Sequence, residues 1–414
     1  MKICFVTGEY PPMQGGVGDY THDLGRELIA QGITVAVITS TQAETSGRQQ
    51  GVRRTEGAQS GCDLYPVVQR WNWGMWRTIR SLVRDLEVDI LHIQYQAAAY
   101  GMHPAVNFLP LRLRLDDWRP KIVVTFHDLR VPYLFPKAGP FRWWVVLALA
   151  RWSDAVIVTN VEDYALLRDE TGERRKPEGR IRLTCFPPIA ALFHIPLGTT
   201  ILPRPPADYN RSRWRTRWNV GPDVVLLSYF GFLNESKGGE ELVRALDRLV
   251  RRGHDVRLLM VGGEIGSSDP TNVACARRVK SLIQELGLDD RVLWTGFITP
   301  AEVSASLLAS DICVLPYRDG ASFRRTTLLS TLSHGLPIVS TEPRTLLPGL
   351  VDGQNIILAP IKNVEALTDC IARLMAQPEL RRRLGQGAQE LARMFRWERI
   401  ATETVTVYDK VLSP

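Results

Sequence analysis

Two adjacent arginines open an apolar, helix-spaced run in DGASFRRTTLLSTLSH, residues 319–334. A guanidinium holds phosphate through two parallel hydrogen bonds, and the start of a helix attracts negative charge. The carboxylate of this stretch is Asp319, at its very beginning. Arg324, Arg325 and Thr326 therefore form a candidate anion site, with Ser322 and Ser330 on the same segment. A further cation lies in SYFGFLNESKGGEELVRAL, residues 228–246, where Lys237-Gly238 precede a helix opened by Glu240 and Glu241. Backbone N–H groups and an ammonium can share a phosphate there. The spacing is not that of a P-loop, and a solvated loop lysine fits the same residues.

The turns MVGGE (260–264) and TGFITPAEV (295–303) also place glycine at a strand end, and the second carries Phe297. Thr299-Pro300 with Glu302 reads as a helix start. Each turn alone is ordinary punctuation. Four successive turns with glycine, cations or both point to an anionic ligand.

Near the N-terminus, GEYPPMQGGVGDYTHDLGRELIAQG (8–32) ends a strand at two prolines. It then turns through Gly15, Gly16 and Gly18 into a helix carrying Asp19. The G-x-G-x-x-G pattern fails because Thr21 stands at the third glycine; a ligand loop and a plain tight turn fit equally. KIVVTFHDLR (121–130) sets His127 and Asp128 at the carboxyl end of a strand. A histidine there can donate to a substrate oxygen while the carboxylate tunes its protonation; a structural hydrogen bond is the other reading. DILHIQYQ (89–96) offers His92 and Gln94 similarly, and strand alternation explains them equally well.

These loops need a scaffold. Apolar runs rich in Val and Ile alternate with helical stretches: KICFVT, TVAVIT, VDILHIQ, KIVVTF and DAVIVT, then VVLLSYFG, VRLLMVGG, RVLWTG, DICVLPY and LPIVST. Runs apolar on both faces predict parallel sheets of the βαβ kind. Two such series, separated by RPPADYNRSRWRTRW (204–218), predict two doubly wound α/β domains with ligands outside the carboxyl ends of their strands. Facing domains would place a site in the cleft between them.

Composition fits this scheme. At 414 residues the chain exceeds a single core. Residues 1–203 hold 23 Lys+Arg against 20 Asp+Glu, and the remainder 28 against 24. Five arginines against one aspartate in 204–218 account for the second surplus, so no nucleic-acid partner is expected. Six scattered cysteines without a C-x-x-C pair predict a reducing, cytoplasmic setting and no zinc site. The N-terminus lacks a signal-peptide run. RWNWGMWRTIRSLVRDL (70–86) and FPKAGPFRWWVVLALARW (135–152) set aromatics beside arginines, which suits either an anionic membrane surface or a helix packed on its sheet.

The order EYPPMQGGVGDY, VVTFHD, IPLGTTI, GFLNESKGGEELVRAL, LLMVGG, RVLWTGFITPAEVSASLLASDICVLPY and LLSTLSHGLPIVST resembles glycosyltransferase family four, from the first strand to about Tyr408. That resemblance implies the GT-B fold, with two Rossmann-like doubly wound parallel-sheet domains facing across a cleft. It implies retaining transfer of a hexose from a nucleoside-diphosphate sugar (UDP-, GDP- or ADP-linked) to a glycan or lipid-linked hydroxyl acceptor, in polysaccharide or glycolipid assembly. No metal or other cofactor is expected. The implied domains are 1–203 for the acceptor and 219–395 for the donor, joined by a 204–218 linker, with 396–414 as a helix crossing back to the first.

By the same resemblance Lys237 binds the diphosphate and the backbone at Phe297 reads the base. His127 lies near the transferred sugar, and Gly16 near the phosphates; Gly15, Asp19 and His92 fall on the acceptor side. Two departures stand out. Phe232 replaces an arginine that usually clasps the diphosphate with the lysine. Ser322 and Ser330 replace the two glutamates expected before Gly335-Leu336-Pro337, of which the second usually holds the ribose hydroxyls. Arg324 and Arg325 are expected to supply the missing cation, and Asp319 the missing carboxylate, which makes His127 and Asp319 the catalytic candidates. A sugar-nucleotide epimerase of similar architecture and a non-catalytic sugar-nucleotide-binding relative are the alternatives.

Overall fold

A computed structural model describes residues 1–13, 15–44, 55–56, 61–129, 141–169, 187–263 and 270–413. The chain divides into two compact units, Met1–Gly198 with Trp397–Pro414, and Thr199–Arg396.

The first unit is built on strands β1 (Lys2–Thr7), β2 (Thr34–Ser40), β3 (Thr55–Glu56), β4 (Asp63–Val68), β5 (Ile90–Tyr95), β6 (Lys121–Phe126), β7 (Ala155–Val158) and β8 (Leu192–His194). Among the described residues their order is β3-β4-β2-β1-β5-β6-β7-β8, parallel except for the short antiparallel β3 edge. Because successive side chains point to opposite faces, Cys4, Val6 and Ile93 enter one apolar layer while Ile3, Phe5 and Val37 enter the other. The last helix, Trp397–Leu412, joins the second layer through Trp397, Ile400, Tyr408 and Val411.

The second unit contains β9 (Val225–Phe230), β10 (Val256–Val261), β11 (Val292–Trp294), β12 (Ile312–Leu315), β13 (Ile338–Thr341) and β14 (Ile357–Ala359), all parallel, in the order β11-β10-β9-β12-β13-β14. In this order β9 and β12 are neighbours, so the loops that follow them lie side by side. The sequence runs identify ten of these strands. They miss β3, β4, β8 and β14, which are edge or near-edge elements: two or three residues long in three cases, and in β4 interrupted by Pro66.

Of the two readings open for the aromatic- and arginine-rich stretches, the described residues show helices packed on their sheet. The stripe on the helix Met75–Asp85 faces the sheet, with Met75, Ile79 and Val83 buried and Trp76 and Leu86 packed against the same core. Likewise Val146, Leu149 and Ala150 of the helix Phe141–Trp152 are buried; residues 135–140 lie outside the described residues. Among the described residues no helix is long and apolar enough to cross a membrane.

The 204–218 stretch is not a free linker either. Asn210 caps the helix Arg211–Thr216. Its Arg215 is 4% exposed and donates to the carbonyls of Ala309, Gly221 and Val224 and to Asp311 at 2.6–3.1 Å. Asp311 also accepts from Leu226 N–H at the start of β9. The guanidinium thus ties the stretch to the first strand of its unit. Replacing one partner of a buried pair strands the other. Arg215→Met is therefore expected to lower the unfolding free energy of the second unit by about 3 kcal/mol. A denaturant midpoint equal to that of the unchanged protein would refute this role.

Candidate functional site

The second-unit site begins where β9 ends. Gly231 adopts φ +118°, and a Cβ there would lie 2.9 Å from both Lys237 Nζ and Thr327 Cγ2. Only glycine allows that turn and that approach. Asn234 caps the short turn Glu235–Lys237 by accepting from Ser236 N–H. Gly238, at φ +68°, then starts the helix Gly239–Arg251, where a Cβ would meet the carbonyl of Pro316 at 1.9 Å. Lys237 is thereby fixed between a strand end and a helix start.

The neighbouring loop brings Arg325 to the same place. Its guanidinium lies 4.1 Å from the ring of buried Tyr317, donates to Ser236 Oγ at 3.3 Å and pairs with Asp319. The Tyr317 hydroxyl shares a hydrogen bond with Thr327, which orients the ring. Arg325 is also the N-cap of the helix Thr326–Ser333, and no side chain caps that end. A cation–π contact and an ion pair hold the arginine beside the positive end of a helix, where it adds to the pull on an anion.

Burial, and then the Arg325 charge, push the Lys237 ammonium down to about 8. Among the described residues no carboxylate pairs with Lys237. The acidic residues nearby are already engaged: Glu235, Glu240 and Glu241 surround Arg318, and Glu235 and Glu240 also meet Arg278. The arrangement is a cation pair with one internal counter-ion, Asp319.

The structure separates the other sequence candidates. Arg324 is exposed, and its N–H donates to Ser322 Oγ, so Ser322 shapes the turn ahead of the helix. Thr326 is the first residue of that helix. Ser330 is fully buried and its Oγ accepts from Ile201 N–H. The structure thus places this expected donor-binding residue in the interior, with its oxygen holding the backbone of Ile201. Phe297 is 82% exposed on the loop after β11, where Gly262 bridges Gly296. Phe232 is exposed.

In the first unit, Gly15 caps the helix Gly16–Ala30 without a side-chain bond. The carboxylate of Glu9 fills that end instead, accepting from Val17 N–H at 3.0 Å and Gly18 N–H at 3.4 Å. A Cβ on Gly15 would sit 2.1 Å from that carboxylate, whereas Gly16 has open space. The turn assigned to phosphate from sequence is thus occupied by an internal anion, and Asp19 is exposed in its first helical turn.

The two histidines part company. His92 is fully buried between Tyr408 Oη (2.6 Å) and Thr125 Oγ1 (2.7 Å), and burial holds it down at about 3. Enclosed and bonded at both ring nitrogens, it is a core residue rather than the acceptor-side group expected from the sequence. His127 follows β6 and is part-exposed. Its Nε2 lies 2.9 Å from Gln94 Oε1 and Tyr20 packs edge-on at 4.6 Å. Burial lowers it to about 3, which leaves a neutral imidazole. Asp128 is buried and accepts from Gln96.

Tyr317, Ser236 and Glu9 give no sign of a site role in the sequence. Gln94 and Tyr20 stand out only as strand and helix-face residues, and their shared partner His127 emerges once β5 and β6 lie side by side.

The comparisons agree with this architecture. Residues 14–183 match the family described as Glycosyltransferase Family 4, and residues 224–377 that described as Glycosyl transferases group 1. A GDP-mannose-dependent alpha-(1-6)-phosphatidylinositol monomannoside mannosyltransferase of Mycolicibacterium smegmatis is 27% identical, covering 94% of this chain and 93% of its own. A D-inositol 3-phosphate glycosyltransferase of Corynebacterium efficiens is also 27% identical, over 99% and 95%. In fold, sucrose-phosphate synthase from Thermosynechococcus elongatus superposes with a TM-score of 0.72 at 22% identity, covering 99% and 98% of the two chains. Anabaena HepE, solved with UDP and glucose, gives 0.69 at 17%, covering 99% and 100%. These matches favour glycosyl transfer over the epimerase alternative. The chain belongs to the GT-B glycosyltransferases of the family-four type.

Proposed function

We propose that the second unit holds a nucleoside-diphosphate sugar with its diphosphate at Lys237, Arg325 and the uncapped start of the helix Thr326–Ser333. The observation that carries this reading is the pair of part-buried cations whose one carboxylate partner among the described residues is Asp319. The sugar passes to a hydroxyl of a glycan or lipid-linked acceptor taken by the first unit. The names of the two bacterial relatives, one using GDP-mannose on a phosphatidylinositol mannoside and one acting on inositol 3-phosphate, support that donor and acceptor chemistry.

The chemistry asks little of a protein nucleophile. With retention, the bond from the sugar's anomeric carbon to the diphosphate breaks as the bond to the acceptor oxygen forms on the same face, and the acceptor proton goes to the leaving phosphate oxygen. The barrier falls mainly through charge stabilisation on the departing diphosphate and through positioning. Lys237, Arg325 and the helix start supply that charge, the task a metal ion performs elsewhere. Displaced from Arg325 by the diphosphate, Asp319 becomes free to accept from a hydroxyl of the transferred sugar. Contact with an anionic membrane belongs to the same proposal, through exposed Trp73, Leu115 and Trp118 rather than the buried stripe.

A panel of UDP-, GDP- and ADP-sugars, with acceptors free and presented in anionic liposomes, tests the reading. Expected are nucleotide release that needs acceptor, a product of unchanged anomeric configuration, unchanged turnover in chelator, and co-sedimentation with the vesicles. Arg325→Ala and Lys237→Ala are expected to weaken donor binding by about tenfold or more each. Unaltered affinity in both would sink the assignment.

Affinity should also follow pH. Lys237 carries its charge below about 8 and loses it above. Binding of a sugar nucleotide, whose diphosphate does not titrate in this range, should therefore weaken about tenfold from about pH 7 to about pH 9. Lys237→Ala should flatten that profile. A wild-type affinity independent of pH would contradict the role of the ammonium.

A further inference from the structure

We infer that Gln94 is a positioning residue that fixes which nitrogen of His127 carries the proton, so that the ring offers a lone pair at Nδ1. The inference rests on the reading above only in giving that lone pair a hydroxyl of bound sugar or acceptor to meet.

Gln94 lies on β5, whose residues are all buried, and is itself 0% exposed. Its Oε1 is 2.9 Å from His127 Nε2. A carbonyl only accepts, so Nε2 must carry the hydrogen, and in a neutral ring Nδ1 is then left as an acceptor. The other end of the amide, the buried Gln94 Nε2, has no hydrogen-bond partner among the described residues. A buried polar group left unpaired is destabilising, and such groups concentrate where chemistry needs them. For packing alone, an apolar residue like its neighbours Ile93 and Tyr95 would serve better at this position. The contact that distinguishes Gln94 is the one to His127.

The ring is held from other sides as well. Its backbone N–H donates to the Tyr95 carbonyl. Tyr20, 4% exposed, packs edge-on against it, and Trp397 packs against Tyr20 at 5.1 Å. Trp397 in turn occupies the space beside Gly198, where a Cβ would come within 2.3 Å of the indole. The last helix therefore braces Tyr20 and, through it, the imidazole. A ring fixed in position, charge and tautomer is suited to orienting a hydroxyl and unsuited to neutralising a phosphate.

The test uses the full chain with histidine labelled in both ring nitrogens. Nitrogen–proton correlation spectra at neutral pH are assigned through the peaks lost in His127→Gln. The expected spectrum shows neutral His127 with its proton on Nε2. Gln94→Leu should fold with equal or higher stability, yet mix the two tautomers. With donor saturating, its turnover should fall about tenfold while donor KM stays within about twofold. Gln94→Glu, which keeps the acceptor and adds charge, should restore the Nε2-protonated state and make the ring easier to protonate. An Nδ1-protonated or charged His127 in the unaltered protein would overturn the inference, as would unchanged ring shifts in Gln94→Leu. Shifted tautomers with wild-type turnover would uphold the inference and remove His127 from the reaction.

Discussion

A part-buried ammonium and a guanidinium do not stand together without negative charge between them, and that constraint organises the second unit. Lys237 and Arg325 come from the loops after β9 and β12, strands that the sheet order makes neighbours. Gly231 and Gly238 let the lysine loop fold tightly enough to reach the arginine's helix. Tyr317 supplies a π face, and Asp319 the one carboxylate. The other acids nearby are spent on Arg318 and Arg278. On that cation pair rests the proposed site for an external anion.

The two serines at the positions where the resemblance implies glutamates have structural partners of their own. Ser330 has become part of the interior and binds the backbone of Ile201. Ser322 has become a turn residue ahead of the helix. The carboxylate beside the cation pair is Asp319, upstream of both serines and paired with Arg325. The first unit shows the same economy, with Glu9 filling a helix start and Gln94 fixing a histidine.

Much of this was legible in the sequence for a physical reason. Strands of a parallel sheet are buried on both faces, so β1, β5, β6, β9 and β12 appear as continuous apolar runs. The loops that follow them then announce themselves as sites. Short edge strands such as β8 and β14 carry too few residues for any period to show. The role of Arg215 depends on the Ala309 carbonyl and Asp311, 94 and 96 residues along the chain, so the stretch around it reads as a linker. His92 and His127 looked alike because both lie near a strand's carboxyl end. His92 precedes that end by three residues and is fully buried, while His127 follows it and is part-exposed. Ser330 was misplaced because the family position was taken to mean a ligand contact, whereas the apolar helix around it already marked an interior face.

The account stands or falls on whether Asp319 is a stand-in for the diphosphate. Calorimetric titration of Asp319→Asn with the preferred nucleoside diphosphate tests this directly, since removing the carboxylate frees Arg325 and leaves Lys237 in place. Binding tighter by about threefold is predicted, the worth of an exposed ion pair. Weaker binding would mean that Asp319 supports the cation pair for another purpose, and would contradict the account.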